Sequence, residues 1–266
     1  MPMPRNRYWR SLGRFWATSL AAELEYQANM AIELLAVVGN LAGSLFVLAL
    51  LYGRSSRLGG WSWDEALVVL GVYTLLDGLT SAVLQPNLSK IVSHVQNGTL
   101  DFVLLKPIDS QFWISTRSFS PWGLPGLVAG AGLILWAANQ AGASWQASHV
   151  ALTALLLASS AVILYSLWFL LAALSIWFVK VWNATEVLRY VLVAGRYPVS
   201  AYPVGLRTLF TLVLPVAFLT TVPAEAILGR VSASWALASL GVAAAALGLS
   251  RWFWQYALRY YTSASS

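Results

Sequence analysis

Few side chains in this sequence can take part in acid–base chemistry, and Asp77 is the one placed most deeply in apolar surroundings. It lies near the middle of the apolar stretch 66–84, with Thr74, Thr80 and Ser81 nearby. An ionisable group in such a place is costly to bury, so it lines a water-filled path, relays protons, or pairs with a neighbouring helix. Asp77, Thr74 and Ser81 are therefore candidates for a polar path, and a structural hydrogen bond is the equal alternative for Asp77.

The composition indicates the environment in which these residues work. Of 266 residues, 59% are apolar and 10% are charged, and the mean hydropathy is +0.68. A soluble domain carries roughly 25% charged residues. A chain this apolar could not hide its apolar surface from water in a soluble fold. The sequence therefore predicts an all-α polytopic membrane protein.

Six stretches are long and apolar enough to cross a bilayer, which takes about 20 residues. They are 31–52, 66–84, 118–139, 150–179, 204–220 and 235–254. With the N-terminus inside, only Arg54, Arg57 and Arg230 of the 16 Lys and Arg residues would face outward, and 13 would face the cytoplasm. Positive charge accumulates on cytoplasmic loops, so both termini are predicted to be cytoplasmic. The net charge of +6 thus reflects topology, and no nucleic-acid partner is expected.

Two shorter segments are predicted to be helices that do not span. In residues 7–20, Arg7, Arg10 and Arg14 fall opposite large aromatics that include Phe15 and Trp16, which is typical of a helix lying in the membrane interface. In residues 86–97, apolar positions recur with helical spacing opposite Asn87, Lys90, His94 and Asn97. That segment predicts a short amphipathic cytoplasmic helix between spans two and three.

The stretch after this helix carries a family signature. Residues 98–107 read Gly-Thr-Leu-Asp-Phe-Val-Leu-Leu-Lys-Pro, and further matches occur at 24–29, 202–207 and 215–223. Together they resemble the ABC-2 type permeases, which are six-span membrane subunits of ATP-driven exporters. Among these permeases, the chain resembles a subfamily that is usually encoded beside an ATPase and a second permease.

The resemblance implies what the helix at 86–97 does and which partners the chain has. In that family it is a coupling helix that seats in a groove of the ATPase. Carried over by position, the contact residues are Lys90, Ile91, His94, Val95, Gly98, Leu100 and Asp101. The implied complex contains two ABC ATPase subunits and a second permease, either a similar chain or another copy, in the bacterial cytoplasmic (inner) membrane. The substrate is not specified by the resemblance.

The sequence lacks the residues for several kinds of catalysis. It has no Cys, and His94 and His149 are assigned to opposite sides of the membrane, so no metal site is expected. None of its three Lys residues lies in the Gly-Lys-Ser/Thr context of a P-loop, so ATP and Mg²⁺ would bind only to the partner ATPase. Two alternatives stay open: an ion-gradient-driven transporter that uses Asp77, and a lipid-modifying membrane enzyme with Glu186 and Arg189 as its candidate residues.

Overall fold

A computed structural model describes residues 13, 16, 27–178 and 188–261, with the backbone alone at 27–30. The predicted interfacial helix at 7–20, with Arg7, Arg10, Arg14 and Phe15, therefore lies outside the described residues except for Gly13 and Trp16. The α-helices, in chain order, are α1 Gln27–Tyr52, α2 Trp63–Leu79, α3 Gln85–Gln96, α4 Asp101–Leu104, α5 Ser110–Thr116, α6 Leu124–Gln140, α7 Ala147–Ala173, α8 Val204–Thr208, α9 Val222–Ile227 and α10 Ala233–Leu258.

The helices confirm a multi-pass membrane protein. Five helical stretches are long and apolar enough to span: Ala31–Tyr52, Trp63–Gln96, Pro121–Gln140, Ala147–Ile176 and Ala233–Leu258. A sixth candidate, Val204–Val213 with Ala217–Ile227, is bent by 77° at its break. Within the described part of the chain no β-strand occurs, only an isolated bridge between Leu58 and Trp61.

The second candidate span differs from its prediction because it does not end before the amphipathic helix. A π-helix, Thr80–Leu84, joins α2 directly to α3. The predicted helix at 86–97 is therefore present, but it is the last third of one 34-residue helix rather than a separate element. At about 1.5 Å per residue this helix is about 51 Å long, well beyond a bilayer core of about 30 Å.

Glycines hold α2 close against α6. A Cβ atom on Gly71 would lie 2.8 Å from Ile134 Cγ1, and one on Gly130 would lie 2.7 Å from Leu75 Cα. A Cβ atom on Gly78 would meet the α6 backbone at Leu127 and Gly126 just as closely. Small residues let membrane helices approach until their backbones touch. Spans two and three therefore form one tightly packed pair.

One end of the bundle is marked by Trp61, and we call it the Trp61 end. The indole Nε1 of Trp61 donates to Ser200 Oγ at 3.0 Å, and the guanidinium of Arg230 lies 3.9 Å from the centre of the Trp61 rings. Arg230 also forms an ion pair with Glu65, 2.6 Å long, at the start of α2. Ser200 and Arg230 are therefore at the same end of the bundle.

This placement concerns the fifth span predicted at 204–220, which stays a prediction. The bent pair starts just after Ser200 and finishes just before Arg230, so both of its ends lie near the Trp61 end, and we call it the re-entrant hairpin. Pro215 lies at the break between its two arms, where a proline removes a helical hydrogen bond. Arg207 accordingly lies on the arm that leaves the Trp61 end, and not in a loop at the opposite end.

The opposite end of the bundle contains α4 and α5, and we call it the Asp101 end. Trp254, late in α10, donates to Ser110 there at 3.0 Å, and Trp177 packs against Phe253. Trp177 therefore lies at the Asp101 end, whereas Val199 and Ser200 lie near the Trp61 end. Before Val199, the described residues are helical at 188–192 and continue in a 3₁₀ turn, Val193–Arg196.

Candidate functional site

Asp77 borders a small cavity inside the bundle. The cavity has a volume of about 20 Å³, enough for one water molecule, and Tyr73, Thr80 and Arg189 line it with Asp77. The side chains of Trp168 and Thr220 complete the lining. Both are almost fully buried, and neither Trp168 Nε1 nor Thr220 Oγ1 has a hydrogen-bond partner within the described residues. Polar groups buried in this way usually bind water or a ligand.

A second cavity of the same volume lies on the α1 side of Asp77, beside Arg196. The Arg196 guanidinium donates to Asn40 Oδ1 at 3.0 Å and stacks over the Tyr73 ring at 5.0 Å from its centre. Thr74 also lines this cavity, although its hydroxyl already donates to the Leu70 carbonyl within α2.

A larger polar recess of about 350 Å³ lies on the Asp101 side of Asp77. Glu33 and Arg189 bring opposite charges to its lining, and Ser81 and Ser120 are among its hydroxyl groups. Because the recess shares Arg189 with the central cavity, the three spaces follow one another along α2. We call this series the α2 seam: the recess, the Asp77 cavity and the Arg196 cavity.

The α2 seam brings together the three residues that the sequence nominated for a polar path. Ser81 lines the recess, Asp77 borders both cavities, and Thr74 lines the cavity next to α1. Asp77 lies between Arg189 and Arg196, so the charge around it is positive on balance. Sequence reasoning placed neither arginine in the polar path, because it assigned both to a loop, and Arg189 entered only as a candidate of the lipid-modifying alternative. Their separation by seven residues, which is one helical face, was the signal that could have placed them together.

At the Asp101 end, α3 is fastened to the start of the third span by Asn87. The Asn87 side chain is only 1% exposed. Its Nδ2 donates to the Ser118 carbonyl at 2.6 Å, and its Oδ1 accepts from the Ser118 N–H at 2.7 Å. Lys90 Nζ adds a bond of 2.7 Å to Ser118 Oγ. The polar face of the helix predicted at 86–97 is therefore partly a packing face.

The seven predicted ATPase-contact residues divide into two groups. Ile91 and Leu100 are completely buried within the chain, so they support this surface from beneath, and their contact with a partner stays a prediction. The other five reach the surface, where Lys90 is exposed and the rest are half-buried: His94, Val95, Gly98 and Asp101. His94 Nδ1 is 2.8 Å from Thr99 Oγ1.

Two exposed apolar side chains complete this surface and were not foreseen. Phe102 is 69% exposed and Leu105 is 80% exposed, on α4 and immediately after it. Large apolar side chains that protrude together mark a contact with a partner or with lipid. We call the surface formed by Lys90, His94, Asp101, Phe102 and Leu105 the α4 knob.

The rest of the Asp101 end is held by ionic and aromatic contacts. Asp109 pairs with Arg251 at 2.5 Å and so ties α5 to α10. Burial alone would raise the pKa of Asp109, but the hydrogen bonds from Arg251 and from the Phe112 N–H hold that pKa below its usual range. Trp16 donates to the Thr116 carbonyl at 3.1 Å, so at least this residue of the predicted interfacial segment contacts the bundle.

Among residues 27–178 and 188–261 no group of three or more acidic or His side chains is arranged to hold a metal ion.

In comparison with known proteins, the family model described as ABC-2 family transporter protein matches residues 38–265. Searches of curated proteins and of solved structures found no match.

Proposed function

This chain is a member of the ABC-2 transporter family, and from that premise we propose that it is the permease subunit of an ATP-driven exporter. Because its own sequence has no P-loop, ATP and Mg²⁺ would bind to two ABC ATPase subunits that are separate chains. The observation that carries the proposal is the unbroken helix Trp63–Gln96, which joins the α2 seam to the α4 knob.

The continuous helix gives a direct mechanism of coupling. When ATP closes the ATPase subunits, the knob moves with them, and the displacement enters α2 through α3 because no loop interrupts this helix. Asn87 transmits the same movement to the third span through Ser118. The π-helix Thr80–Leu84 is the place where the helix can change its winding, since π segments are rare and often occur at functional sites.

Contact with the ATPase is assigned to the α4 knob. Phe102 and Leu105 provide an apolar anchor, while Lys90, His94 and Asp101 surround it with polar and charged groups. An apolar centre with a polar rim is the usual arrangement of a protein–protein interface. Ile91 and Leu100 would hold the knob rigid from below.

A pull-down experiment tests this assignment. The tagged chain is co-expressed with candidate ABC ATPases from the same genome, purified, and examined by native mass spectrometry and ATP hydrolysis. We expect an ATPase to copurify, and the double variant Phe102→Asp with Leu105→Asp to lose it. The control Arg54→Glu changes an exposed charge at the Trp61 end, away from the knob, and should retain it. A chain that purifies alone, or a double variant that retains the ATPase, would contradict the assignment.

The second permease is proposed to pack against α1. This helix is apolar but mostly uncovered within the chain, and Gly39 and Gly43 leave open space on it. A G-x-x-x-G spacing is typical of membrane helices that pair closely.

Asn40 and Arg196 lie on the same flank of the bundle as this glycine pair. Polar groups at that depth need water or protein around them, which a translocation path between two permeases would provide. The mass of the complex distinguishes two copies of this chain from two similar chains.

Orientation follows from the same arrangement. The Asp101 end would face the cytoplasm, where the ATPase is, and the Trp61 end with its re-entrant hairpin would face outward. Both termini would be cytoplasmic, and the membrane would be the bacterial inner membrane. The export direction rests on the family.

A transporter driven by an ion gradient is the second candidate, and the α2 seam favours it. In that case Asp77 would carry the coupling ion or proton between the recess and the cavity at Arg196. The chain would then purify without an ATPase, and Asp77→Asn would abolish uptake driven by a pH or sodium gradient in proteoliposomes. ATP-dependent activity that survives Asp77→Asn would reject this role.

A further inference from the structure

A groove on the flank of the bundle has no role in the function proposed above. It has a volume of about 600 Å³, which is within the range of ligand-binding pockets, and α1 contributes nothing to it. Its walls come from the end of α2 and the following π-helix, from α7 and from α10. The apolar side chains that form them include Leu79, Val83, Leu84, Ala161, Val162 and Leu247.

One end of the groove is polar. Arg251 forms its ion pair with Asp109 there and donates from Nη1 to Gln111 Oε1 at 3.3 Å. Tyr165 shares hydrogen bonds with Gln111 and Ser115 at the same place. These contacts use one N–H group on each terminal nitrogen of Arg251. A guanidinium has five N–H donors, so three remain. Since the side chain is also 43% exposed, it has donors available for a further anion.

The depth of the groove matches one leaflet of a bilayer. Arg251 lies 18 residues after the start of α10 at Ala233, which corresponds to about 27 Å along the helix, and Leu247 lies at about 21 Å. In a hydrocarbon core of about 30 Å, the apolar walls are thus within the leaflet nearer the Asp101 end, and Arg251 is near its edge. Lys106 and Arg117, both stacked on Trp113, add positive charge at this end.

We propose that the groove binds one phospholipid of this leaflet. An acyl chain lies against the apolar walls, and the phosphate group accepts hydrogen bonds from Arg251. A guanidinium suits this position because its planar fork binds phosphate through two parallel hydrogen bonds. Asp109 and Gln111 hold the guanidinium in place beneath the phosphate. A free anion would gain nothing from the apolar walls, so the ligand is the lipid and not inorganic phosphate.

Native mass spectrometry tests this proposal directly. The chain is reconstituted in nanodiscs of phosphatidylglycerol and phosphatidylethanolamine, released into a mild detergent, and scored for retained phospholipid. We expect one retained lipid per chain. Ala161→Phe fills the apolar wall without touching the polar end, and it should weaken retention about tenfold or more by displacing buried methylene groups. Ala151→Phe, on an exposed face of the same helix, is the matched control and should retain the lipid.

The polar end is tested separately. Arg251→Gln should lose the lipid, while Arg259→Gln two turns further along α10 should keep it. Added inorganic phosphate should not displace the lipid. The proposal is overturned if Ala161→Phe and Arg251→Gln both retain the lipid as the unmodified chain does, or if inorganic phosphate competes for the site. It is also overturned if a photoactivatable residue at Leu247 crosslinks to another protein chain and not to lipid.

Discussion

Replacing Asn87 with Leu should both destabilise the protein and disconnect α3 from the third span. The substitution removes the two bonds to the Ser118 backbone, 2.6 and 2.7 Å long, and leaves a buried N–H and a buried carbonyl without partners. Each such group costs about 1–3 kcal/mol, so the pair costs about 2–6 kcal/mol. Burial of the added apolar atoms offsets part of this, and we expect a net loss of about 3 kcal/mol.

Thermal unfolding followed by tryptophan fluorescence in detergent measures this loss. For a chain of this size 1 kcal/mol corresponds to about 2–4 °C, so Tm should fall by about 6–12 °C. The control Asn97→Leu changes an exposed residue at the end of the same helix and should shift Tm by no more than about 2 °C. In the complex with its ATPase, Asn87→Leu should retain ATP hydrolysis while losing its stimulation by the permease. Equal Tm values for the two variants would refute the argument that this bond pair holds the two spans together.

Three further results are expected. Gly130→Val should lower Tm by several degrees, because its side chain would collide with the α2 backbone, whereas Gly132→Val has open space and should not. Asp109→Asn should lower Tm at neutral pH. Since the folded pKa of Asp109 is depressed, its contribution is present above the unfolded pKa, so the difference from the unmodified chain should shrink as pH falls below about 4. Because the chain contains no Cys, single cysteines at Ser200 and Ser232 can be labelled cleanly with an impermeant maleimide. A re-entrant hairpin requires both to react from the same side of the membrane, and a spanning segment requires opposite sides.

The sequence was sufficient for the helical class and the membrane environment, because these depend on composition and on the length of apolar stretches. Asp77, Thr74 and Ser81 do lie along the α2 seam, and their role in a polar path stays a prediction. The sequence was insufficient for the course of the chain after a helix break and for the burial of individual polar side chains, because both depend on tertiary packing. The apolar length of 204–220 predicted a span, but length carries no information on which way the chain returns after Pro215. Helical periodicity placed Asn87 on a polar face, yet a polar side chain can be buried when backbone groups such as those of Ser118 satisfy it.

The same physical features explain why movement at the α4 knob should change the chemistry around Asp77. Glycine packing and the Asn87 bonds make spans two and three one body, and Asp77 belongs to that body. Arg189 and Arg196 belong to a different segment, which contacts α1 and the re-entrant hairpin. Rotation of the body would therefore move the Asp77 carboxylate relative to the Arg189 and Arg196 guanidinium groups. Because the dielectric constant is low inside the bundle, a small change in these distances changes the electrostatic interaction energy strongly. If the α2 seam is part of the transport cycle, a disulfide between cysteines at Tyr73 and Asn40 should stop transport, and reducing that disulfide should restore it.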